Sequence, residues 1–353
     1  MKKVLVIVVT YNGLHWLERC LRSVAGDPSA SLGMTESGGD PSASLGMTVD
    51  AFVWDNDSTD GSADYIAAHF PQAHLVRSAE NVGFSKANNM GFEWAIKKGY
   101  DYVYLLNQDA WLAPGALEAL VAAAEAHPDY AVLSPLQCQD GYKAFDPQFS
   151  KLYPGSEEGM GLRTHGHHRP CKREGPTGVL RKGEAVPKTA SGRGRSEAEA
   201  VRKPISSAEQ VIEVKRVMAA HWLVPVEALK AIGLFEEELF PFYGQDDDWC
   251  NRARHLGYKV GIVPAAKAVH DRAQRQEAKA KVIHRNYYTG SLVRLCNVNC
   301  PLWERFLFVC LFTLVKALKY RSLLPFKHFR TICGQISQIK TYRKSVRSHA
   351  KPE

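Results

Sequence analysis

The sequence has no apolar run near the roughly 20 residues a membrane-spanning helix requires. It also lacks a secretory leader pattern: the run Val4 to Val9 ends in Thr10-Tyr11-Asn12-Gly13, with no small-residue cleavage site. Both absences point to a cytoplasmic protein, attached at most to a membrane surface. There is no CxxC pair; the nearest cysteines are Cys296 and Cys300, so the eight cysteines form neither a disulfide framework nor a zinc ribbon and read as reduced thiols. Nor is the chain short of apolar residues: 353 residues, 45% hydrophobic and 23% charged, can bury one large core or two ordinary ones.

The charge is unevenly placed. Of a formal net +8, the segment from Val315 to Glu353 carries ten Lys/Arg and one acid, leaving the body close to neutral. A basic tail on a neutral body fits a surface anchor better than a nucleic-acid enzyme. Few aromatics interleave with those charges and no nucleic-acid module surrounds them, so no nucleic-acid partner is expected.

Over the first 136 residues apolar runs alternate with helical patterns. Strands are expected at Val4–Val9, Ala51–Trp54, Ala73–Val76, Tyr102–Leu106 and Tyr130–Ser134. Leu14, Leu17, Leu21 and Val24 recur at helical spacing, Ser85 is placed to cap a helix reaching Lys98, and Pro114 suits the first turn of another. This alternation predicts an α/β fold, a mostly parallel sheet with helices on both faces. Later come a strand at Val211–Ala219, helices at Pro225–Ile232 and Asp247–Leu256, and a strand at Lys259–Val263.

Two stretches read as inserts. The ten residues Gly26 to Thr35 recur unchanged as Gly39 to Thr48, and two copies are too few for a solenoid, so 26–48 reads as a lengthened flexible loop. Residues 155–207 are rich in Gly, Arg, Lys, Glu and Pro, a composition of disorder; His165, His167, His168 and Cys171 within it could bind a metal, but a solvated polar loop is the plainer reading.

In an open parallel sheet, ligands bind beyond the carboxyl ends of the strands. Polar clusters fall at three such ends: Thr10-Tyr11-Asn12, Asp55-Asn56-Asp57-Ser58 and Asn107-Gln108-Asp109. Each alone is an ordinary turn; three meeting at one edge make a candidate site.

Five segments carry a resemblance: Val6 to Asn12, Asp55 to Ser62, Asn81 to Asn89, Leu105 to Asp109, and Phe240 to Ala253. In this order they resemble the family 2 inverting glycosyltransferases, nearest the rhamnosyltransferase-like subgroup. The resemblance covers about residues 3–25, 50–136 and 214–290 and is absent from both inserts. It implies a GT-A-type catalytic domain over 1–280 and a helical, basic region over 281–353. It implies that Thr10, Tyr11, Asn12, Asp55, Asn56, Asn81, Gly83, Lys86 and Asn107 bind a nucleotide-diphosphate sugar, dTDP-rhamnose being one candidate. Asp109 would hold a divalent metal, Mg²⁺ or Mn²⁺, with His270 as second ligand. Asp246 would be the general base, with Asp248 beside it as a further catalytic carboxylate. The acceptor would be a glycan or a lipid-linked glycan of cell-surface polysaccharide synthesis.

The chemistry suits these residue types. A departing diphosphate gathers negative charge that a hard cation on carboxylate oxygen neutralises, and an attacking hydroxyl must give its proton to a base. The departures are Gln108, where the family tends to have Pro or Asn; Gln245, where it usually has Glu; and His221-Trp222, which reads as either an altered acceptor pocket or a packed aromatic. Gln cannot act as a base, so a non-catalytic, decayed sugar-nucleotide-binding or membrane-docking protein is the alternative. In the carboxyl-terminal region the uncharged stretch Phe306 to Val315 is too short to span a bilayer, but as an amphipathic helix it could lie on an anionic surface, placing the chain on the cytoplasmic face of the inner membrane. A core helix with a solvated tail is the plainer alternative.

Overall fold

The computed structural model describes residues 1–25, 47–142, 144–153, 210–272 and 279–349. Most of the duplicated insert, nearly all of 155–207 and the His165, His167, His168 and Cys171 group lie outside them.

The chain runs β1 (Lys2–Thr10), α1 (Leu14–Ala25), β2 (Met47–Asp55), α2 (Ser62–His69), β3 (His74–Arg77), α3 (Phe84–Lys98), β4 (Tyr102–Asn107), β5 (Ala110–Leu112), α4 (Ala116–Ala126) and β6 (Tyr130–Cys138). It resumes with β7 (Ile212–Val214), β8 (His221–Pro225), α5 (Val226–Ile232), α6 (Gln245–His255) and β9 (Lys259–His270). Four helices follow: α7 (Lys279–Cys296), α8 (Leu302–Tyr320), α9 (Leu324–Gly334) and α10 (Ile336–His349).

One sheet of nine strands organises the molecule, in the order β3-β2-β1-β4-β8-β6-β9-β5, with β7 also on β9. Strand β1 reads as a continuous apolar run because both its faces are covered. Val4, Val6 and Val8 point into a core shared with Leu17 and Leu21 of α1 and Leu117 and Leu120 of α4. Leu5 and Ile7 point into a second core with Phe92 of α3, Leu229 of α5 and Trp249 of α6. The expected α/β class, mostly parallel sheet and flanking helices are present.

The sheet is nevertheless mixed. The pairings β1·β2, β1·β4, β2·β3 and β6·β9 are parallel. Strand β8, missing from the expected set, enters antiparallel between β4 and β6. Of the strand expected over Val211–Ala219, only Ile212–Val214 forms. The strand expected to stop at Val263 continues through Pro264 to His270, and the pairing with β6 slips where Pro135↔Val263 gives way to Leu136↔Lys267. A proline lacks the ladder donor, and this irregularity accommodates both Pro135 and Pro264.

Two cap expectations are corrected. Ser85 is not the cap of α3: it lies inside the helix, its hydroxyl donates to the Phe240 carbonyl, and Gly83 holds the cap position with φ 88°. Pro114 precedes α4, whose cap position is Gly115 at φ 76°.

The last four helices share a third core with the loop before α6. Leu239 and Phe240 pack with Leu292 and Leu295 of α7, Val309 of α8, Ile332 of α9 and Ile339 of α10. No helix among the described residues is long and apolar enough to cross a membrane. Helix α8 still presents an apolar stripe: Trp303, Leu307, Leu311, Leu314 and Leu318 are exposed, Leu318 by 70%. Their spacing of three and four residues keeps them on one helix face.

Candidate functional site

The sheet register builds the site. Thr10 pairs with Asp55 and Val9 with Asn107, so the ends of β1, β2 and β4 lie side by side at one edge. Antiparallel pairing of β5 with β9 sets Ala110 opposite His270, and the Asp271 N–H donates to the Asp109 carbonyl at 2.8 Å. That register carries His270 to Asp109 across 161 residues of sequence, with Nε2 3.5 Å from Oδ1 and both side chains buried.

A cleft of about 540 Å³ opens here, a size suited to a small-molecule ligand. Of the residues singled out in the sequence, Tyr11, Asn56, Asn81, Asn107, Asp109, Asp246 and His270 line it. Thr10, Asn12, Asp55, Gly83, Lys86 and Asp248 do not. Three of this second group, Thr10, Asn12 and Asp55, tie together the loops that form its walls. The Thr10 hydroxyl and the Tyr11 N–H both donate to Gln108 Oε1 at 2.8 Å, so Gln108 staples the first loop to the third. Asn12 accepts from the Thr59 N–H at 2.8 Å, and its own N–H donates to Ser58, tying the first loop to the second. Asn56 donates to Asn81 Oδ1 at 2.9 Å and accepts from the Val82 N–H. Asp55 is buried below, one oxygen accepting from Ser58 N–H and Oδ1 without a hydrogen-bond partner among the described residues.

Gly83 and Lys86 fall outside the cleft for separate reasons. A Cβ on Gly83 would stand 2.8 Å from the Pro241 carbonyl, so its backbone is packed against that loop. Lys86 lies on the exposed side of the first turn of α3.

Opposite Asp109 stands α6, with Gly244 at φ 94° in its cap position and Gln245 and Asp246 in its first turn. Burial, reinforced by the adjacent Asp247 carboxylate, pushes the Asp246 carboxyl up to about 7. A carboxylate with that affinity for protons is suited to take one near neutral pH. Asp248, two positions on, leaves the cleft: it is buried, paired with Arg252 at 3.0 Å, and accepts the Tyr342 hydroxyl at 2.6 Å. The catalytic role expected for Asp248 is therefore corrected to a packing role, since those partners hold its carboxylate. His221 and Trp222 are also wholly buried and do not line the cleft. The His221 ring bridges the Tyr104 hydroxyl and the Val269 carbonyl, so the packed-aromatic reading holds.

The donor set tests the expected metal. Asp109 offers a hard carboxylate at the cleft wall. His270 is less suited: its Nδ1 lies 3.2 Å from an Arg272 guanidinium nitrogen, which can only donate, so the ring accepts there and carries its proton on Nε2, towards Asp109. In that tautomer the ring cannot ligate through Nε2. Among the described residues no cluster of three or more His, Cys, Asp or Glu side chains could hold a metal ion. A cation here would fit on Asp109, with the remaining positions completed from a bound ligand.

Arg272 was not among the expected site residues. It lines the cleft, and its Nε donates to the buried Asp146 at 2.8 Å, which fixes a positive charge in the wall. Its only sequence signal was adjacency to Val269-His270-Asp271. Phe242 and Tyr243, roughly half exposed, stand at the cleft and belong to the quoted segment Phe240 to Ala253, though no role had been attached to them.

The profile of the family described as Glycosyl transferase family 2 matches residues 5–172. The chain is 26% identical over 276 residues to the N-acetylglucosaminyl-diphospho-decaprenol L-rhamnosyltransferase of Mycobacterium tuberculosis, a match covering 76% of each chain. It is 20% identical over 235 residues to the dTDP-rhamnosyl transferase RfbF of Shigella flexneri, covering 67% of this chain and 59% of that one. Among solved structures, S. aureus TarS 1-349 in complex with UDP-GlcNAc superposes with a TM-score of 0.46 at 14% identity, covering 92% of this chain and 74% of the other.

Proposed function

We propose that the chain, whose residues 5–172 match the glycosyl transferase family 2 profile, moves a sugar, with rhamnose the leading candidate, from a nucleotide-diphosphate donor to a glycan or lipid-linked acceptor. The observation that carries this reading is the convergence of Asp109 and Asp246 on one cleft from segments 137 residues apart. The resemblance of two relatives named for rhamnosyl transfer supports the donor, and the acceptor named for the mycobacterial relative supports a lipid-linked one.

In this mechanism the walls formed by Tyr11, Asn56, Asn81 and Asn107 hold the nucleotide-sugar. Arg272 sets a fixed positive charge towards the diphosphate. Asp109 would hold Mg²⁺ or Mn²⁺, which would supply charge neutralisation of the diphosphate as it leaves. Asp246 takes the proton of the acceptor hydroxyl. The hydroxyl oxygen bonds to the anomeric carbon while that carbon's bond to the diphosphate oxygen breaks, the electron pair leaving with the diphosphate. Direct attack inverts the anomeric centre. The exposed α8 stripe and the basic tail support peripheral attachment to an anionic membrane surface on its cytoplasmic side.

Donor turnover tests the reading. Parent protein with Mn²⁺ or Mg²⁺ should consume a nucleotide-sugar from a panel, with chelator and Asp109→Ala each abolishing turnover. Gln245, a neutral amide lining the cleft beside Asp246, favours the second reading of a decayed binding protein. A parent that binds nucleotide and never turns over would establish that one instead.

A further inference from the structure

A second cavity, of about 970 Å³, lies on the other side of α6 from the cleft. The two are neighbours: Tyr243 lines both, Asp246 lines the first, and Asp247 the second. Its wall carries five cations, Lys151, Lys215, Arg216, Arg254 and Arg294, against two acids, Glu213 and Asp247. Asp247 is already paired with Arg216. Arg254 has a buried Nε with no hydrogen-bond partner among the described residues. The wall is therefore short of anionic partners.

Arg294 joins this cavity to the apolar face of the last helices. It lines the cavity, and its guanidinium sits 5.3 Å and 5.2 Å from the ring centroids of Phe308 and Phe312 on α8. Phe308 is part-exposed beside Leu307 and Leu311 of the exposed stripe. Three environments thus follow one another: a cleft with a proton acceptor, a cationic cavity, and an apolar surface.

We propose that the second cavity is the subsite for the acceptor's phosphate, and that the acceptor is an amphiphile whose saccharide reaches Asp246, whose diphosphate sits among Lys215, Arg254 and Arg294, and whose lipid lies along α8. This rests on the glycosyl-transfer reading above and specifies its acceptor. Phosphate oxygens on lysine and arginine donors form charge-assisted hydrogen bonds, which are the stronger kind. A lipid tail is expelled from water onto apolar surface, and the exposed stripe offers such surface next to the phosphate.

The test uses the full chain and two probes, citronellyl diphosphate and citronellol, measured by calorimetry without donor. Citronellyl diphosphate is expected to bind and citronellol to bind at least tenfold more weakly. Lys215→Glu and Arg254→Ala should each weaken the diphosphate at least tenfold. Lys215 is exposed, so Lys215→Glu keeps the test alive if Arg254→Ala does not fold. Equal affinity of parent and variants overturns the proposal. Phosphatidylglycerol vesicles separate acceptor from bulk headgroups: vesicle binding should persist in both variants. Its loss with unchanged citronellyl diphosphate affinity would assign the cavity to bulk lipid and overturn the proposal. Diphosphate binding by a parent that turns over no donor would leave the cavity standing while the glycosyl-transfer reading fell; turnover without diphosphate binding would do the reverse.

Discussion

The Tyr342 hydroxyl, on the last helix, donates to Asp248 Oδ2 at 2.6 Å, across 94 residues. The same carboxylate receives Arg252 Nε, whose guanidinium also donates to the Ile232 and Leu234 carbonyls. The carboxyl-terminal helices are thereby fastened to the helix that presents Asp246. Tyr342→Phe deletes one hydrogen bond to a buried charged group and should lower stability by about 2 kcal/mol. Denaturant unfolding would read this, and an unchanged midpoint would remove the fastening role.

Asp246→Asn should reduce kcat roughly 10²- to 10⁴-fold while leaving donor binding intact, the range for loss of a general base. In the parent, kcat/KM should rise with pH and level off above about 7. The stability effect has the opposite sign. A folded carboxyl raised above its unfolded value binds its proton more tightly when folded, so its contribution is full at acid pH and is lost as pH climbs through about 7. Asp246→Asn should therefore raise Tm more at pH 8 than at pH 5.

Gly83→Ala meets two obstacles, φ 88° and a Cβ 2.8 Å from the Pro241 carbonyl. Backbone strain of this kind costs about 1–3 kcal/mol. The loop carrying Phe242 and Tyr243 should shift, so we expect a lower Tm together with a raised acceptor KM. A variant with parental kinetics would show that this loop does not contact substrate.

Burial pushes the His221 imidazole down to about 3. Its unfolded value is near 6.5, so the unfolded chain takes the proton first and stability drains away as pH falls from about 6.5 towards 3. His221→Gln should flatten the dependence of unfolding free energy on pH between 6.5 and 4. An equally steep slope in the variant would place the acid sensitivity elsewhere.

The early strands were legible because Val4–Val9 and Tyr102–Leu106 are continuous apolar runs, the signature of strands covered on both faces. The site's polar loops followed, since a parallel sheet puts strand ends together. Strand β8 escaped notice because Trp222-Leu223-Val224 is too brief to show a period, and its antiparallel entry depends on partners far along the chain. Pro264 hid the second half of β9, because a breaker in sequence becomes tolerable only where the pairing slips. Asp248 misled for a related reason: its spacing from Asp246 says nothing of Tyr342, which comes 94 residues later. Arg272 acquires meaning only from the buried Asp146 that holds it.

The placement of β8 has a consequence for synthesis. The seam between β4 and β6 is filled by residues 221–225, so the middle of the sheet stays open until those residues have left the ribosome. Until then one margin of β4 and both margins of β6, whose other neighbour β9 comes later still, carry unsatisfied amides. Such late, long-range closure makes for slow maturation and a window in which nascent chains can stick to one another.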